Sequence, residues 1–278
     1  MNQRTIWSVA LLLFGLLAAG VYWWQRPTPQ RQAPPLGAAP AAGVIPETTP
    51  PASAASAIRF PIEAGAPPAL ASSAPGNYAA NPIADALVET LGRKAVLEFL
   101  NVDNFAQRVV ATVDNLARTH APARLWPVHP AAGRFGTQTA RDSAAIGADN
   151  PKRYSAFVRW AESLDMKQVA ALYRRLYPQF QRAYEELGYP GRYFNDRVVD
   201  VIDHLLETPS LDEPVAVKLP DIKGPIQPTR PWVMIEFADP STEARTAGQK
   251  LLLRMGKDNA QRLKAKLLEL RAALTPPR

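Results

Sequence analysis

An uncharged apolar run near the N-terminus constrains this chain more than any other feature. The run extends from Ile6 to Trp24, 19 residues without Asp, Glu, Lys or Arg. As an α-helix it would be about 28 Å long at ~1.5 Å per residue, close to the ~30 Å hydrocarbon core of a bilayer. Tyr22 and Trp23 precede Trp24 at its end, where aromatic rings favour the headgroup region. We therefore predict a transmembrane signal-anchor over residues 1–25.

The fate and orientation of this helix leave alternatives open. Ala18 and Gly20 are small enough for cleavage, so the run also fits a removed signal peptide, and burial in another structure is a further alternative. Arg4 on one side nearly balances Arg26 and Arg31 on the other under the positive-inside rule. We expect a bacterial inner-membrane protein with its domain in the periplasm, because a short N-terminal tail stays in the cytoplasm most easily.

Proline is concentrated in the segment that follows. Of the 28 prolines, 12 lie between residues 26 and 80, where Ala and Ser are also abundant. Such a composition buries too little apolar surface to offset the entropy of ordering, so residues 26–80 are predicted to be a disordered Pro/Ala-rich linker. One apolar island interrupts it, formed by Ile58, Phe60 and Ile62. It is expected either to dock on the domain or capture a partner as an extended strip, or to be a chance cluster.

Residues 81–278 are predicted to form one mostly helical soluble domain. Asn81–Pro82, Asn150–Pro151 and Asp239–Pro240 each place a capping residue before a proline, which is a typical helix start. Between these starts, apolar residues recur at helical spacing, most regularly from Met166 to Leu187. The last start is expected to open a helix that ends near Arg254.

A small β pair is predicted within this mainly α domain. Val215–Leu219 alternates in polarity, and Trp232–Phe237 is rich in strand-forming residues. We expect these two runs to pair in antiparallel fashion and lie on the helices. Thr137–Thr139 is a further candidate for a short strand.

Positive charge is concentrated at the C-terminal end. The net charge is +7, and residues 241–278 hold nine Lys/Arg against three Asp/Glu, which accounts for +6 of it. Five cations are candidates for binding an anionic partner: Lys250, Arg254, Arg262, Lys264 and Lys266. Lipid headgroups or an envelope polymer would supply such a partner, and nucleic acid is the least expected. The alternative is a solvated helix face.

Motifs for common chemistries are absent from the sequence. The chain has no Cys, which excludes disulfides, Cys-ligated metals and thiol nucleophiles. It contains no GxxxxGK[ST], GxGxxG, HExxH or GxSxG pattern. His120 and His129 lie nine residues apart in a Pro-rich stretch, and this is not metal-ligand spacing. We expect no metal and no cofactor.

The densest polar cluster follows Asn195. Asp200 and His204 are i, i+4 neighbours on one predicted helix, with Asp203 beside them, so the three are weak candidates for acid–base catalysis. The alternative is a solvated face with local ion pairs, or an Asp that anchors Arg174/Arg175 on the adjacent helix. A smaller polar set, Asp114, Asn115 and Arg118, is expected to satisfy backbone groups of the irregular segment at 121–150.

Three long stretches of the domain are similar to a known family. They are ATVDNLAR at 111–118, ALYRRLYPQFQRAYEELGYPGRYFNDRVVDVIDHLLETP at 171–209, and FADPSTEARTAGQKLLLRMGKDNAQRLKAKLLELRA at 237–272. They resemble an uncharacterised proteobacterial membrane-anchored family known only as a domain of unknown function. The resemblance implies an N-terminal membrane helix, a variable Pro/Ala linker and this C-terminal region. It implies no reaction, ligand or catalytic residue.

The sequence therefore favours a tethered, non-enzymatic domain that binds a protein or another envelope component. An enzyme built on the Asp200/Asp203/His204 cluster is the first alternative. A cytoplasmic domain that binds nucleic acid or the membrane through its basic C-terminal helices is the second. The sequence leaves the oligomeric state open.

Overall fold

The described part of the chain is the helical domain and one short segment that precedes it. A computed structural model describes residues 57–62, 81–140, 143–220 and 233–275. The predicted anchor at residues 1–25, and most of the predicted linker at 26–80, lie outside these residues. Within them, no helix has both the length and the apolar character needed to cross a membrane.

Helices dominate this part of the chain, as predicted. They are α1 (Pro82–Leu91), α2 (Arg93–Phe99), α3 (Phe105–Leu116), α4 (Ser155–Ser163), α5 (Met166–Glu186), α6 (Phe194–Leu206), α7 (Pro240–Glu243), α8 (Ala247–Arg254) and α9 (Lys257–Leu274). Two 3-10 turns, at Ala123–Leu125 and Asn150–Tyr154, lie between α3 and α4.

Helix α5 is the central element of the core. It packs on α1, α3, α6 and α9, and α9 also packs on α4 and α6. Leu176, Phe180 and Tyr184 of α5 are all buried in the main apolar cluster. Full burial of such a side chain contributes about 1.5–3 kcal/mol, so this stripe stabilises the whole helical layer. The helical stripe predicted from Met166 to Leu187 is thereby confirmed.

The first predicted helix start is also confirmed. Asn81 is the N-cap of α1, and its side-chain oxygen accepts hydrogen bonds from the backbone N–H of Ile83 and of Ala84, both at 3.2 Å. Pro82 occupies the first turn, where its missing N–H removes no helical bond. Gly92 ends the helix with φ = 84°, a conformation that glycine adopts without steric cost.

The second predicted start is wrong in its role. Asn150 does not cap a helix; residues 150–154 form a 3-10 turn, and α4 begins at Ser155. The side chain of Asn150 is buried, and within its own turn it accepts a hydrogen bond from the guanidinium of Arg153 at 3.1 Å. It accepts from the backbone N–H of Gly136 at 3.3 Å and donates to the carbonyl of Arg254 at 3.1 Å. Long-range hydrogen bonds therefore replace the local cap.

The third predicted start is right, but the helix after it is shorter than predicted. Asp239 caps α7, which has only four residues. A second cap follows at Thr246, whose hydroxyl accepts from the N–H of Gln249 at 3.4 Å and begins α8. The N–H of Ala247 donates to the carbonyl of Arg118 at 2.7 Å. This contact with the end of α3 accompanies the second helix start.

Two small antiparallel sheets lie beside the helices. Strands β3 (Val217–Lys218) and β4 (Glu236–Phe237) pair with Val217 opposite Phe237, which confirms the predicted pair at a shorter length. Strands β1 (Thr137–Ala140) and β2 (Ser143–Ile146) form a second pair. Only the first of these two strands overlaps a predicted one.

Candidate functional site

A short extended segment lies across the beginning of α6. We call residues 57–62 the strip. The carboxylate of Asp196, in the first turn of α6, accepts hydrogen bonds from the backbone N–H of Arg59 at 3.0 Å and of Phe60 at 2.8 Å. A carboxylate near a helix N-terminus is also favoured by the helix dipole. Asp196 therefore binds the main chain of the strip rather than a particular side chain.

Two neighbours of Asp196 complete these main-chain contacts. The Tyr193 hydroxyl accepts from the N–H of Ile62 at 2.7 Å and donates to the carbonyl of the same residue at 3.2 Å. The Asn195 side-chain amide donates to the carbonyl of Phe60 at 2.9 Å and to that of Leu274, at the end of α9, at 3.3 Å. Asn195 is 0% exposed. The buried side chain of Asn195 therefore helps to bind the strip.

Side chains of the strip also contact the domain. The guanidinium of Arg59 forms an ion pair with Asp200 at 2.6 Å, with 53% and 47% of the two side chains exposed. The hydrogen bond to Asp200 raises the pKa of Arg59. Ile62 packs on the main apolar cluster and Phe60 is half-buried, whereas Ile58 is 55% exposed. Of the three predicted docking residues, Ile62 therefore packs on the core and Ile58 faces solvent. We call Tyr193, Asn195, Asp196 and Asp200 the docking groove.

Helix α5 explains why the groove side chains are available. The first N–H groups of a helix have no partner inside it, and a side-chain cap normally satisfies one of them. Helix α6 has no such cap of its own. Instead, Gln181 accepts from the N–H of Phe194 at 2.9 Å, and the Tyr177 hydroxyl accepts from that of Asn195 at 3.3 Å. Burial raises the pKa of Tyr177, so this hydroxyl stays protonated.

An open cleft of about 610 Å³ adjoins the groove. At its base, the Asp114 carboxylate, 6% exposed, forms ion pairs with Arg118 at 2.7 Å and Arg197 at 3.1 Å. The Tyr189 hydroxyl accepts from Arg118 at 2.6 Å and lies 3.2 Å from Asp114. Arg192 lines the same cleft. We call these five residues the arginine cleft.

Opposite charges predominate in the arginine cleft and in the docking groove. In the arginine cleft three guanidinium groups face one carboxylate, and the Asp114 carboxylate, with the Tyr189 hydroxyl beside it, raises the pKa of Arg118. In the docking groove two carboxylates, Asp196 and Asp200, face the one guanidinium of Arg59. The arginine cleft therefore has more guanidinium groups than carboxylates, and the docking groove with the strip has more carboxylates than guanidinium groups.

The predicted catalytic cluster does not converge. Asp200 pairs with Arg59 of the strip, whereas Asp203 forms a bidentate ion pair with Arg271 of α9. The imidazole of His204 forms a hydrogen bond with the hydroxyl of Thr246 at 2.8 Å. The three side chains thus have three separate partners.

The predicted anchoring of Arg174/Arg175 by an Asp of α6 is wrong. Arg174 donates to the carbonyl of Ala273, and Arg175 forms an ion pair with Glu89 of α1 at 2.8 Å. The expectation for Asp114, Asn115 and Arg118 is also wrong. Asp114 forms ion pairs with Arg118 and with Arg197 of α6, and Asn115 donates to the carbonyl of Ala111 rather than to the backbone of residues 121–150.

Each of the five predicted partner-binding cations has an intramolecular partner. The pairs are Lys250 with Glu243, Arg254 with the carbonyl of Ile235, Arg262 with Glu162, Lys264 with the carbonyl of Thr208, and Lys266 with Glu269. Burial lowers the pKa of Arg254. An anionic partner would have to compete with these contacts.

The described ranges contain no candidate metal site. Across them, no group of three His, Asp or Glu side chains is arranged to hold a metal ion.

Several site residues are missing from the sequence-based candidates: Tyr193, Asn195, Asp196, Tyr189 and Arg197. Asn195, Asp196 and Arg197 were visible as a dense polar run, but their spacing gave no hint of a peptide backbone as their ligand. The one available signal was that this polar run begins four residues after the glycine of a Tyr-Pro-Gly turn and lies at the start of an apolar helix.

Comparison with known proteins places most of this domain in one group. Residues 105–271 match the model of a family described as "Protein of unknown function (DUF3014)". The match includes the docking groove and the arginine cleft but not the strip. No curated protein and no solved structure matches the chain.

Proposed function

Because this chain belongs to the family DUF3014, whose description assigns no activity, we propose a function from the groove: the domain is a tethered, non-enzymatic module that binds an extended peptide segment of a protein partner. The observation that carries this proposal is the set of main-chain contacts between Asp196, Asn195 and Tyr193 and the strip. Main-chain hydrogen bonds supply affinity for any extended peptide, and side-chain pockets then supply specificity.

The strip itself supports recognition of a linear motif. Residues 63–80, 18 in number, separate it from the domain along the sequence, and these span at most about 65 Å. A ligand joined to its receptor by a short connection is present at a millimolar effective concentration, so even a weak motif occupies its site. The same groove would accept a peptide of like sequence from another protein.

The predicted membrane anchor would determine the cellular location of this module. We propose that the chain spans the inner membrane once through residues 1–25, with the domain tethered in the periplasm by residues 26–80. Its partner is then a protein or another component of the cell envelope. A C-terminal alkaline phosphatase fusion is expected to be active, since this enzyme folds only outside the cytoplasm. An inactive fusion would place the partner in the cytoplasm instead.

Binding in trans tests the module directly. A chain from which residues 57–62 are deleted, the vacated variant, frees the groove, because the deletion removes the main-chain groups of the strip as well as its side chains. A labelled peptide with the sequence of residues 55–64, ASAIRFPIEA, is titrated against it and fluorescence anisotropy is measured. We expect saturable binding to the vacated variant and at least tenfold weaker binding to the wild-type chain, because its own strip competes.

Two substitutions in the vacated variant separate specific from nonspecific binding. Asp196→Asn removes an acceptor for the peptide main chain, and it is expected to weaken binding. Asp203→Asn removes the same charge from the same helix, but Asp203 contacts Arg271 rather than the strip, so binding should persist. The proposal fails if the vacated variant does not bind the peptide or if both substitutions have the same effect.

A further inference from the structure

The docking groove does not end where the strip ends. Ala57 and Arg59 line the arginine cleft as well as belonging to the strip. In a bound peptide, the residues that precede the position of Ala57 would therefore begin at the wall of this cleft. In an extended chain each residue advances by about 3.3 Å, so two residues before Ala57 reach about 7 Å.

The cleft offers positive charge to those preceding residues. Among the residues around it, Arg59 pairs with Asp200, whereas Arg118 and Arg197 share the single carboxylate of Asp114. The Arg192 guanidinium is exposed and has no hydrogen bond or ion pair with the described residues. The Nε of Arg197 is buried and likewise has no partner among them. Two guanidinium groups therefore share one carboxylate and a third, that of Arg192, has none, so the positive charge of the arginine cleft is incompletely balanced.

The chain's own sequence does not supply the missing negative charge. Residues 51–56 read PASAAS and contain no charged side chain. Within the strip, Arg59 pairs with a carboxylate of the docking groove. The residues that precede the strip have no negative charge that could pair with the arginine cleft. A ligand with a negative charge for the arginine cleft, as well as a positive charge for the docking groove, would bind better than the strip does.

Resting on the proposed function, we propose that the partner peptide carries Asp or Glu one or two residues before the position of Ala57, followed by an Arg-aromatic-Pro-aliphatic core like that of residues 59–62. The acidic side chains contact the arginine cleft, and the core occupies the docking groove. This charge complementarity lets the partner displace the strip.

Peptide variants test the acidic extension on the vacated variant. The parent peptide ASAIRFPIEA is compared with versions in which the first two residues, Ala55 and Ser56, are both replaced by Glu or both by Gln. Half-exposed ion pairs contribute roughly 0.2–1 kcal/mol each, so two of them predict about a two- to thirtyfold tighter Kd for the Glu peptide than for the Gln peptide. The difference should shrink when the salt concentration rises from 50 to 500 mM, because screening weakens exposed charges.

Substitution of the cleft identifies the cation involved. Arg192→Gln should lower the Glu-over-Gln preference, because it removes one of the two proposed ion pairs. Arg175→Gln is the matched control, since Arg175 pairs with Glu89 on α1 and does not line the cleft. Equal affinities for the Glu and Gln peptides, or a preference that survives both Arg192→Gln and high salt, would overturn the acidic extension. Parent-peptide binding would still support the proposed function in that case, whereas failure of all three peptides would refute both.

Discussion

Replacing Asp196 with Asn tests whether the strip is held by its main chain. The carboxylate accepts two backbone N–H groups, from Arg59 and Phe60, one with each oxygen. The amide keeps one acceptor and turns an NH2 group towards the other N–H. The substitution therefore removes about one charge-assisted hydrogen bond, worth roughly 1.5–3 kcal/mol. The ratio of docked to undocked strip should fall about 10- to 150-fold.

Amide hydrogen exchange in the full-length chain measures this ratio. The protection of Arg59, Phe60 and Ile62 reports the docked state, because each N–H bonds to the groove. If the strip docks as one unit, protection should fall together at all three positions, including Ile62, whose partner is Tyr193 and is untouched by the substitution. Unchanged protection at Arg59 and Phe60 would refute the assignment of Asp196 as the main anchor.

A control separates docking from the stability of α6. Asp196 lies in the first turn, where a negative charge also stabilises the helix by about 0.3–1 kcal/mol. Urea unfolding of the same variant measures this contribution. Asp203→Asn removes a charge later in the helix and should leave the protection of the strip near its wild-type value.

Two further predictions concern the fold. Gly248→Ala would place a Cβ 2.5 Å from Leu205 and 2.9 Å from the carbonyl of Leu116, so the free energy of unfolding in urea should fall by about 1–3 kcal/mol. Gly136→Ala, whose Cβ would have no atom within 4 Å, should leave it unchanged, and equal unfolding midpoints for the two variants would contradict the close packing at Gly248. Hydrogen bonds from Ser241 and Thr242 lower the pKa of Asp239 to about 2. Because its folded pKa lies below its ordinary value of 3.8, its contribution to stability is complete above about pH 4 and is lost as the pH falls through 2. An NMR titration midpoint near 3.8 would contradict the cap.

Local features of the fold were predictable from the sequence where their partners lie nearby in the chain. Asn81 caps α1 through N–H groups two and three residues away, so its sequence context alone predicts the bond. The long apolar stripe of α5 follows from its period. Asn150 has the same Asn-Pro context as Asn81, but it bonds Gly136 and Arg254 instead. Long-range competition of this kind has no signature in a local pattern.

The candidate site divides in the same way. The apolar island at Ile58–Ile62 indicated a segment that differs from its Pro/Ala surroundings. The groove that receives it could not be predicted, because Asn195 and Asp196 contact residues about 135 positions earlier and bind the main chain, which carries no residue identity. Asp200 and His204 illustrate the converse. They are neighbours by helical spacing, but adjacent elements give them different partners.

By itself the sequence determined the helical class, the first cap, the β3–β4 pair and the family to which the chain belongs. These depend on periodicity, on contacts over a few residues, or on long stretches of similar sequence. Only the tertiary structure decided what the polar residues of α6 do. Their partners come from the strip, α3, α8 and α9, and the partner decides whether a polar side chain of α6 binds the strip or joins α6 to another element. The docking groove and the arginine cleft are therefore properties of packing, and no single segment contains them.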